Sequence, residues 1–126
     1  MNILETLQKD YQNFPLDQTY SIYGEDVYFQ DPLTQFRGLK RYQEMIKFIE
    51  KWFKDIVMEV HSIEQTENII HTKWTLNWTT PVPWQPRISI SGRSELTLNG
   101  QNLIISHIDY WDNSRWNVLQ QHFPRG

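Results

Sequence analysis

The chain of 126 residues contains no cysteine. This absence excludes disulfide bonds, a thiolate nucleophile and cysteine ligation of a metal, and it leaves the redox compartment undetermined. The sequence also lacks a long apolar run and a basic amino-terminal leader, so we predict neither a membrane span nor a targeting segment. We therefore expect a soluble, cytoplasmic protein without a membrane partner.

Positive charge is scarce as well, because 12 Lys and Arg face 15 Asp and Glu and the formal net charge is -3. A surface that binds nucleic acid normally carries a basic excess, so no nucleic-acid partner is expected. The four histidines show no metal-binding spacing, and we expect neither a metal nor another cofactor. Those histidines are His61, His71, His107 and His122.

Aromatic residues, in contrast, are abundant, with six Trp, six Tyr and six Phe. Aromatic rings often line an apolar ligand pocket, although they also serve as ordinary core residues. A chain of this length has the size of one domain, so we expect residues 1–126 to form a single domain.

Helical periodicity is strongest from Leu39 to Phe53, where apolar residues recur at the spacing of one buried stripe. An earlier amphipathic helix is predicted from Ile3 to Phe14, stopped by Pro15. A short helix is predicted from about 16 to 23, with Gly24 as its end. The tail is expected to form one more short helix around Trp116, Val118 and Leu119.

Strands account for most of the remaining sequence. Residues 26–30 form a strand that Asp31 and Pro32 end, and the apolar period changes to two in the segments 56–61, 69–78, 87–98 and 103–111. Gly92 lies within one segment, where glycine indicates a bulge or bend. Asn99-Gly100 predicts a hairpin. Together the pattern favours an α+β domain whose antiparallel sheet curls around the long helix.

This order of elements is similar to the nuclear-transport-factor-2-like superfamily, a cone-shaped α+β fold shared with ketosteroid isomerases and SnoaL-like polyketide cyclases. Several short motifs more narrowly resemble the domain-of-unknown-function 2358 family of cyanobacteria and plants. They are SIY at 21–23, VYFQDP at 27–32, FRGL at 36–39, WTL at 74–76, PW at 83–84, GRS at 92–94 and HIDYWD at 107–112. The resemblance implies a cone with N-terminal helices packed in a strongly curved sheet, but it assigns no reaction.

The isomerase resemblance can be followed residue by residue. The family's general base is the aspartate of the D-P motif, which Asp31 matches, and its aromatic near the end of the last strand is matched by Trp111. The two donors of the family's oxyanion hole fall near Leu7 and Ser94 and are not matched, so steroid isomerase chemistry is not expected. Asp31 also has a simpler interpretation, as an aspartate that starts a turn before proline.

His107, Asp109 and Trp111 alternate along the last predicted strand, so their side chains are expected on the same face. If that face is concave, His107 and Asp109 form an acid-base set with Asp31 inside a ring-lined cavity. On the opposite face they would be a solvated pair.

Two functions from different classes remain open. The first is a small-molecule-binding domain that takes a small apolar or aromatic ligand, with isomerase-like or cyclase-like acid-base chemistry as an open question. The expected catalytic residues are Asp31, His107 and Asp109, and the expected pocket residues are Trp52, Trp74, Trp78, Ser94, Leu96 and Trp111. The second is a non-catalytic interaction module whose outer sheet face forms a homodimer or docks a partner. That face would carry His71, Lys73, Thr75, Asn77 and Arg93.

Overall fold

A computed structural model describes residues 2–123 of the chain. Within them, helices precede, interrupt and follow a set of strands. The helices are α1 (Ile3–Asn13), α2 (Leu39–Trp52) and α3 (Arg115–Gln121). The strands are β1 (Tyr23–Gln30), β2 (Gln35–Arg37), β3 (Lys54–Thr66), β4 (Ile69–Thr79), β5 (Arg87–Leu98) and β6 (Ile104–Trp111).

The strands form one sheet in the order β2-β1-β6-β5-β4-β3. Neighbouring strands are antiparallel except β1 and β6, which run parallel. The sheet is curled but does not close, and the predicted α+β cone is confirmed. The parallel pair joins the first and last strands, a long-range contact that hairpin signals do not reveal.

The helices begin and end close to the predicted positions. Helix α1 is capped by Asn2, whose side-chain oxygen accepts a hydrogen bond from the backbone N–H of Glu5 at 2.9 Å. Helix α2 starts after Gly38, at φ 118°, and buries Tyr42 and Ile46. The predicted tail helix is present as α3. Among residues 2–123, no helix is both long enough and apolar enough to cross a membrane.

The helix predicted from about 16 to 23 is wrong in extent, because this segment contains only a 3₁₀ turn at Tyr20–Ile22. Asp17 adopts a left-handed conformation with φ 49°, which an α-helix does not accommodate. The buried carboxylate of Asp10 instead fixes the segment by accepting hydrogen bonds from the backbone N–H of Thr19 at 3.0 Å and from its hydroxyl at 2.9 Å. Gly24 consequently lies inside β1 rather than at a helix end.

Of the bulge or bend predicted at Gly92, the bulge is wrong. Strands β4 and β5 pair without a register shift from Ile69 to Thr79, and Gly92 lies directly opposite Trp74 and Trp111. A Cβ at Gly92 would collide with the carbonyl oxygen of Tyr110 and would come within 3.0 Å of the Trp74 ring. Glycine is therefore present because neighbouring groups approach the backbone closely.

The inner face of the sheet carries two apolar clusters. The first lies between the sheet and helices α1 and α2, and it contains Leu7, Tyr23, Val27, Phe29, Tyr42, Ile46, Ile70, Leu96, Leu98 and Ile104. The second includes one residue of α3 and contains Trp74, Trp78, Ile88, Ile90 and Val118. Along β4 and β5 the two clusters are separated by buried polar residues, and this boundary forms the candidate site.

Candidate functional site

A row of polar residues crosses three strands between the two apolar clusters. Thr72 of β4 lies opposite Ser94 of β5, and Ser94 lies opposite Asp109 of β6. Thr72 is 0% exposed and Ser94 is 2% exposed, whereas the Asp109 side chain is 18% exposed, so the row is buried on β4 and β5 and partly open at β6. Because buried polar groups cost stability unless they are hydrogen-bonded, their partners decide what the row can do.

The hydrogen bonds along this row converge on the carboxylate of Asp109. The indole Nε1–H of Trp74 donates to Ser94 Oγ at 2.8 Å, and the Ser94 hydroxyl donates to Asp109 Oδ1 at 2.5 Å. His107 Nε2 lies 2.8 Å from the same carboxylate oxygen. The result is a His-Asp pair whose carboxylate accepts a hydrogen bond from Ser94, which in turn accepts one from Trp74.

His107 lies beneath aromatic rings from β1 and α2. Its ring centroid is 5.1 Å from that of Phe29, 5.8 Å from that of Tyr42 and 6.5 Å from that of Tyr23. The residue is 8% exposed. Among residues 2–123, its Nδ1 has no hydrogen-bond partner although it is buried. The structure therefore places His107 and Asp109 on the concave inner face, one of the two alternatives that the alternation left open.

Tyr11 of α1 also belongs to the site and was missed by sequence reasoning, which placed the relevant helix position near Leu7. Its hydroxyl lies 2.8 Å from Thr72 Oγ1. Burial raises the pKa of Tyr11 to about 12, and the charge of Asp109 adds to this effect. Leu7, near which the resemblance puts the family's donor, lies one helical turn from Tyr11, so Tyr11 is a different position that the resemblance does not mark.

Asp31 lies at the edge of the site with most of its contacts made to its own turn. Its Oδ1 accepts hydrogen bonds from the backbone N–H groups of Leu33 and Thr34, each at 2.8 Å. Burial raises the pKa of Asp31, the two backbone hydrogen bonds oppose this, and the charge of Asp109 raises it further. Asp31 thus makes the hydrogen bonds expected of an aspartate that starts a turn before proline. It also interacts electrostatically with His107 and Asp109.

The sequence matches the family described as "Uncharacterized conserved protein (DUF2358)" over residues 1–107. The match covers most of the chain. The chain belongs to the DUF2358 family. A comparison with curated proteins finds no match for this DUF2358 protein.

Solved structures similar to the DUF2358 domain share its fold at low sequence identity. An LEH-like epoxide hydrolase from M. tuberculosis has a TM-score of 0.72 and 14% identity, with 94% of this chain and 86% of that chain covered. A putative SnoaL-like polyketide cyclase from Shewanella putrefaciens has a TM-score of 0.70 and 14% identity, with 95% of each chain covered. A hypothetical protein with a ketosteroid isomerase-like fold from Catenulispora acidiphila has a TM-score of 0.75 and 12% identity, with 95% of this chain and 91% of that chain covered.

The structure of the DUF2358 domain brings most of the expected pocket residues together, but not Trp52. Trp74 and Trp78 are each 5% exposed in the second cluster, against which Trp111 packs, and Leu96 lies in the first cluster. Trp52 is 46% exposed, with its ring beside Phe48 and under the ammonium group of Lys51. The prediction that Trp52 lines the space between α2 and the sheet is therefore wrong. On a helix with 3.6 residues per turn, Trp52 lies about 120° from the buried Ile46.

The outer face of the sheet is mostly polar, with Val57 and Tyr110 exposed among its polar residues. His61 Nε2 lies 2.8 Å from Thr75 Oγ1, which lies 3.0 Å from Ser91 Oγ, so a short chain of hydrogen bonds crosses three strands. Arg93 forms an ion pair with Glu95 at 3.0 Å and covers the Tyr110 ring at 4.0 Å. A homodimer or a docked partner on this face stays a prediction.

Among residues 2–123, no group of three His, Asp or Glu is arranged to hold a metal ion.

Proposed function

We propose that this DUF2358 protein binds a small organic molecule on the inner face of its sheet and transfers a proton at the His107-Asp109 pair. The observation that carries the proposal is the buried His107 ring, which is hydrogen-bonded to Asp109 at one nitrogen and unpaired at the other, beneath aromatic residues. Acid-base catalysis by histidine requires this kind of oriented and partly desolvated imidazole.

The proposed chemistry is removal of a proton from a carbon next to a carbonyl group. The C–H bond breaks, its electron pair forms an enolate with the carbonyl, and His107 accepts the proton as an imidazolium beside the Asp109 carboxylate. Return of the proton to the same carbon or to another one completes an exchange or an isomerisation. No electrons leave the substrate, so no oxidant or reductant is needed.

Neighbouring groups support this role. The neutral hydroxyl of Tyr11 lies in the same polar layer and can donate to a developing oxyanion. Asp31 is proposed as a second carboxyl group at the edge of the site. Trp74, Trp78 and Trp111 are proposed to contact the apolar part of the substrate, with Leu96 below them, and Ser94 holds Asp109 in position.

The names of structural neighbours also support a small-molecule role. They include an LEH-like epoxide hydrolase and a putative polyketide cyclase, and another neighbour was solved in complex with trimethylamine. Because the identities are 12–14%, these names support the class of ligand and not a particular reaction.

The proposal is tested with 2-tetralone, an uncharged bicyclic ketone whose α-hydrogens are activated by its carbonyl group. NMR in D₂O follows the exchange of these hydrogens for deuterium, so no product needs to be known in advance. We expect the protein to accelerate exchange over buffer by at least about 100-fold, the usual contribution of a positioned acid or base. His107→Gln should remove most of this acceleration.

His61→Gln is the matched control, because His61 lies on the outer face and is exposed. This variant should retain the wild-type rate. Equal exchange by wild type and His107→Gln, or no acceleration by either, would overturn proton transfer at this site.

A further inference from the structure

The unpaired nitrogen of His107 defines the polar group that a ligand must bring to the site. Nδ1 is buried and has no hydrogen-bond partner among residues 2–123, while Nε2 is bonded to Asp109. A buried polar atom without a partner is uncommon in native proteins and destabilises the fold. Its retention beside the polar row, opposite Leu96 and under aromatic rings, points to a partner supplied from outside the chain.

The hydrogen bonds around Asp109 determine which ring nitrogen carries the proton. Trp74 donates to Ser94, so the Ser94 hydroxyl is free to donate its own hydrogen to Asp109. The carboxylate of Asp109 only accepts, and His107 Nε2 must therefore supply a hydrogen. In the neutral imidazole the remaining nitrogen, Nδ1, then carries a lone pair and acts as an acceptor.

The surrounding charges limit the ligand further. Every lysine and arginine among residues 2–123 is exposed, so none is buried beside the His-Asp pair. His107 instead interacts with two carboxylates, that of Asp109 at 2.8 Å and, electrostatically, that of Asp31, while the guanidinium of Arg115 lies on the exposed side, at the carbonyl of Pro32. Burial raises the pKa of Tyr23 and of Tyr42, so their hydroxyl groups, 3.2 Å apart, stay neutral. An anionic ligand would be desolvated and repelled here.

We infer that the ligand is an uncharged, ring-containing molecule with a hydroxyl group, and that this hydroxyl donates a hydrogen bond to Nδ1 of His107. The inference rests on the proposed function, since the hydroxyl group binds the same nitrogen that accepts the α-proton in the proposed reaction, and such a ligand therefore competes with a ketone substrate for Nδ1. It assigns the acceptor role to His107, whereas the isomerase resemblance assigned the base to Asp31. The rings of Phe29, Tyr23 and Tyr42, which surround the His107 ring, add to the apolar contacts proposed above for the tryptophans.

The first test needs no ligand. A long-range ¹H–¹⁵N NMR correlation of the intact protein at neutral pH distinguishes a protonated from an unprotonated ring nitrogen. The His107 signals are identified by their loss in His107→Phe. We expect Nε2 to carry the proton and Nδ1 to be unprotonated. A proton on Nδ1, in the other tautomer or in the imidazolium ion, overturns the inference whether or not the proton-transfer proposal survives.

The second test compares 2-naphthol with 2-methoxynaphthalene, which has the same rings but no hydroxyl hydrogen. Wild type should bind 2-naphthol about tenfold more tightly, the usual contribution of one hydrogen bond. In His107→Phe the ratio should fall to about one, and in the outer-face control His61→Phe it should stay at the wild-type value. 2-Naphthoate, which adds a negative charge, should bind more weakly than 2-naphthol.

Each other outcome has a definite consequence. A ratio near one in wild type, or an unchanged ratio in His107→Phe, overturns the role of Nδ1 as acceptor. Tighter binding of 2-naphthoate overturns the uncharged class. Binding by none of the three compounds overturns the ligand class. If the protein binds none of the three compounds but still accelerates 2-tetralone exchange, the proposed function stands although the inferred ligand class does not.

Discussion

Gly92 is the residue at which the inner face of the sheet is most tightly constrained. It lies between Trp74 and Trp111 in the register of three strands, and the Trp74 ring crosses the space above its Cα. The Trp74 indole can reach Ser94 only because this space is free of a side chain. One glycine thus positions the donor at the start of the hydrogen-bond chain that ends at Asp109.

Gly92→Ala should therefore destabilise the protein by about 1–3 kcal/mol, the usual cost of overpacking a filled core site. Urea denaturation measures the loss. Gly100→Ala is the matched control, because a Cβ there meets nothing within 4 Å. It should be neutral or slightly stabilising, since alanine lowers the entropy of the unfolded chain. Equal stability of the two variants would contradict the close approach of Trp74 and Tyr110 to Gly92.

Helix α3 is the element held in place more by side-chain hydrogen bonds than by apolar burial. Val118 is its buried residue, whereas Trp116 is 65% exposed and Leu119 is 47% exposed. Gln121 pairs with the backbone of Ser89 in the way a neighbouring strand would, accepting from the N–H at 2.7 Å and donating to the carbonyl at 3.0 Å. The helix thereby covers the part of β5 that extends beyond β6.

Hydrogen exchange of the Ser89 amide is a direct measure of this attachment. Gln121→Ala should speed its exchange about tenfold or more, because the amide loses its acceptor and α3 opens more often. The neighbouring Ile90 amide points to the other side of β5 and should change much less. Gln120→Ala, which alters an exposed side chain of the same helix, should leave Ser89 unchanged. Unchanged Ser89 exchange in Gln121→Ala would contradict a protective role for α3.

The elements were predictable from the sequence where local periodicity decides them. The stripe from Leu39 onward predicted α2, and the period of two predicted the long strands. Trp52 was misplaced because, at 3.6 residues per turn, it lies about 100° from the centre of the stripe set by Tyr42 and Ile46. The parallel pairing of β1 with β6 depends on residues some 80 positions apart, which no local pattern contains.

The candidate site was predictable only where local periodicity decides the position of a residue. Alternation alone placed His107 and Asp109 on one face. Their connection to Ser94, Thr72 and Tyr11 depends on strand register and on the docking of α1, which are properties of the assembled sheet. The isomerase resemblance pointed to Asp31 as the base, whereas the base proposed here is His107, which the alternation along the last strand had already named with Asp109.

The whole molecule contains a buried polar layer between two apolar clusters, an arrangement that stability alone does not favour. Replacing Asp109 leaves His107 without a hydrogen-bond partner among residues 2–123, and replacing His107 leaves Asp109 with Ser94 as its donor, so His107→Leu and Asp109→Leu should each cost about 2–4 kcal/mol. In the double variant both groups are replaced by apolar side chains next to existing apolar clusters. We expect it to be as stable as wild type or up to about 3 kcal/mol more stable, with binding of 2-naphthol lost.

Urea denaturation of the four proteins gives the coupling energy between the two residues. Arg93 and Glu95 provide the control cycle, because they form an ion pair with the same spacing along a strand but on the exposed outer face. Their coupling should be below about 1 kcal/mol. A double His107-Asp109 variant less stable than either single variant would show that the polar layer is retained for stability. A double variant that is more stable than wild type but no longer binds 2-naphthol would show that the polar layer is retained for function, although it divides the core into two apolar clusters.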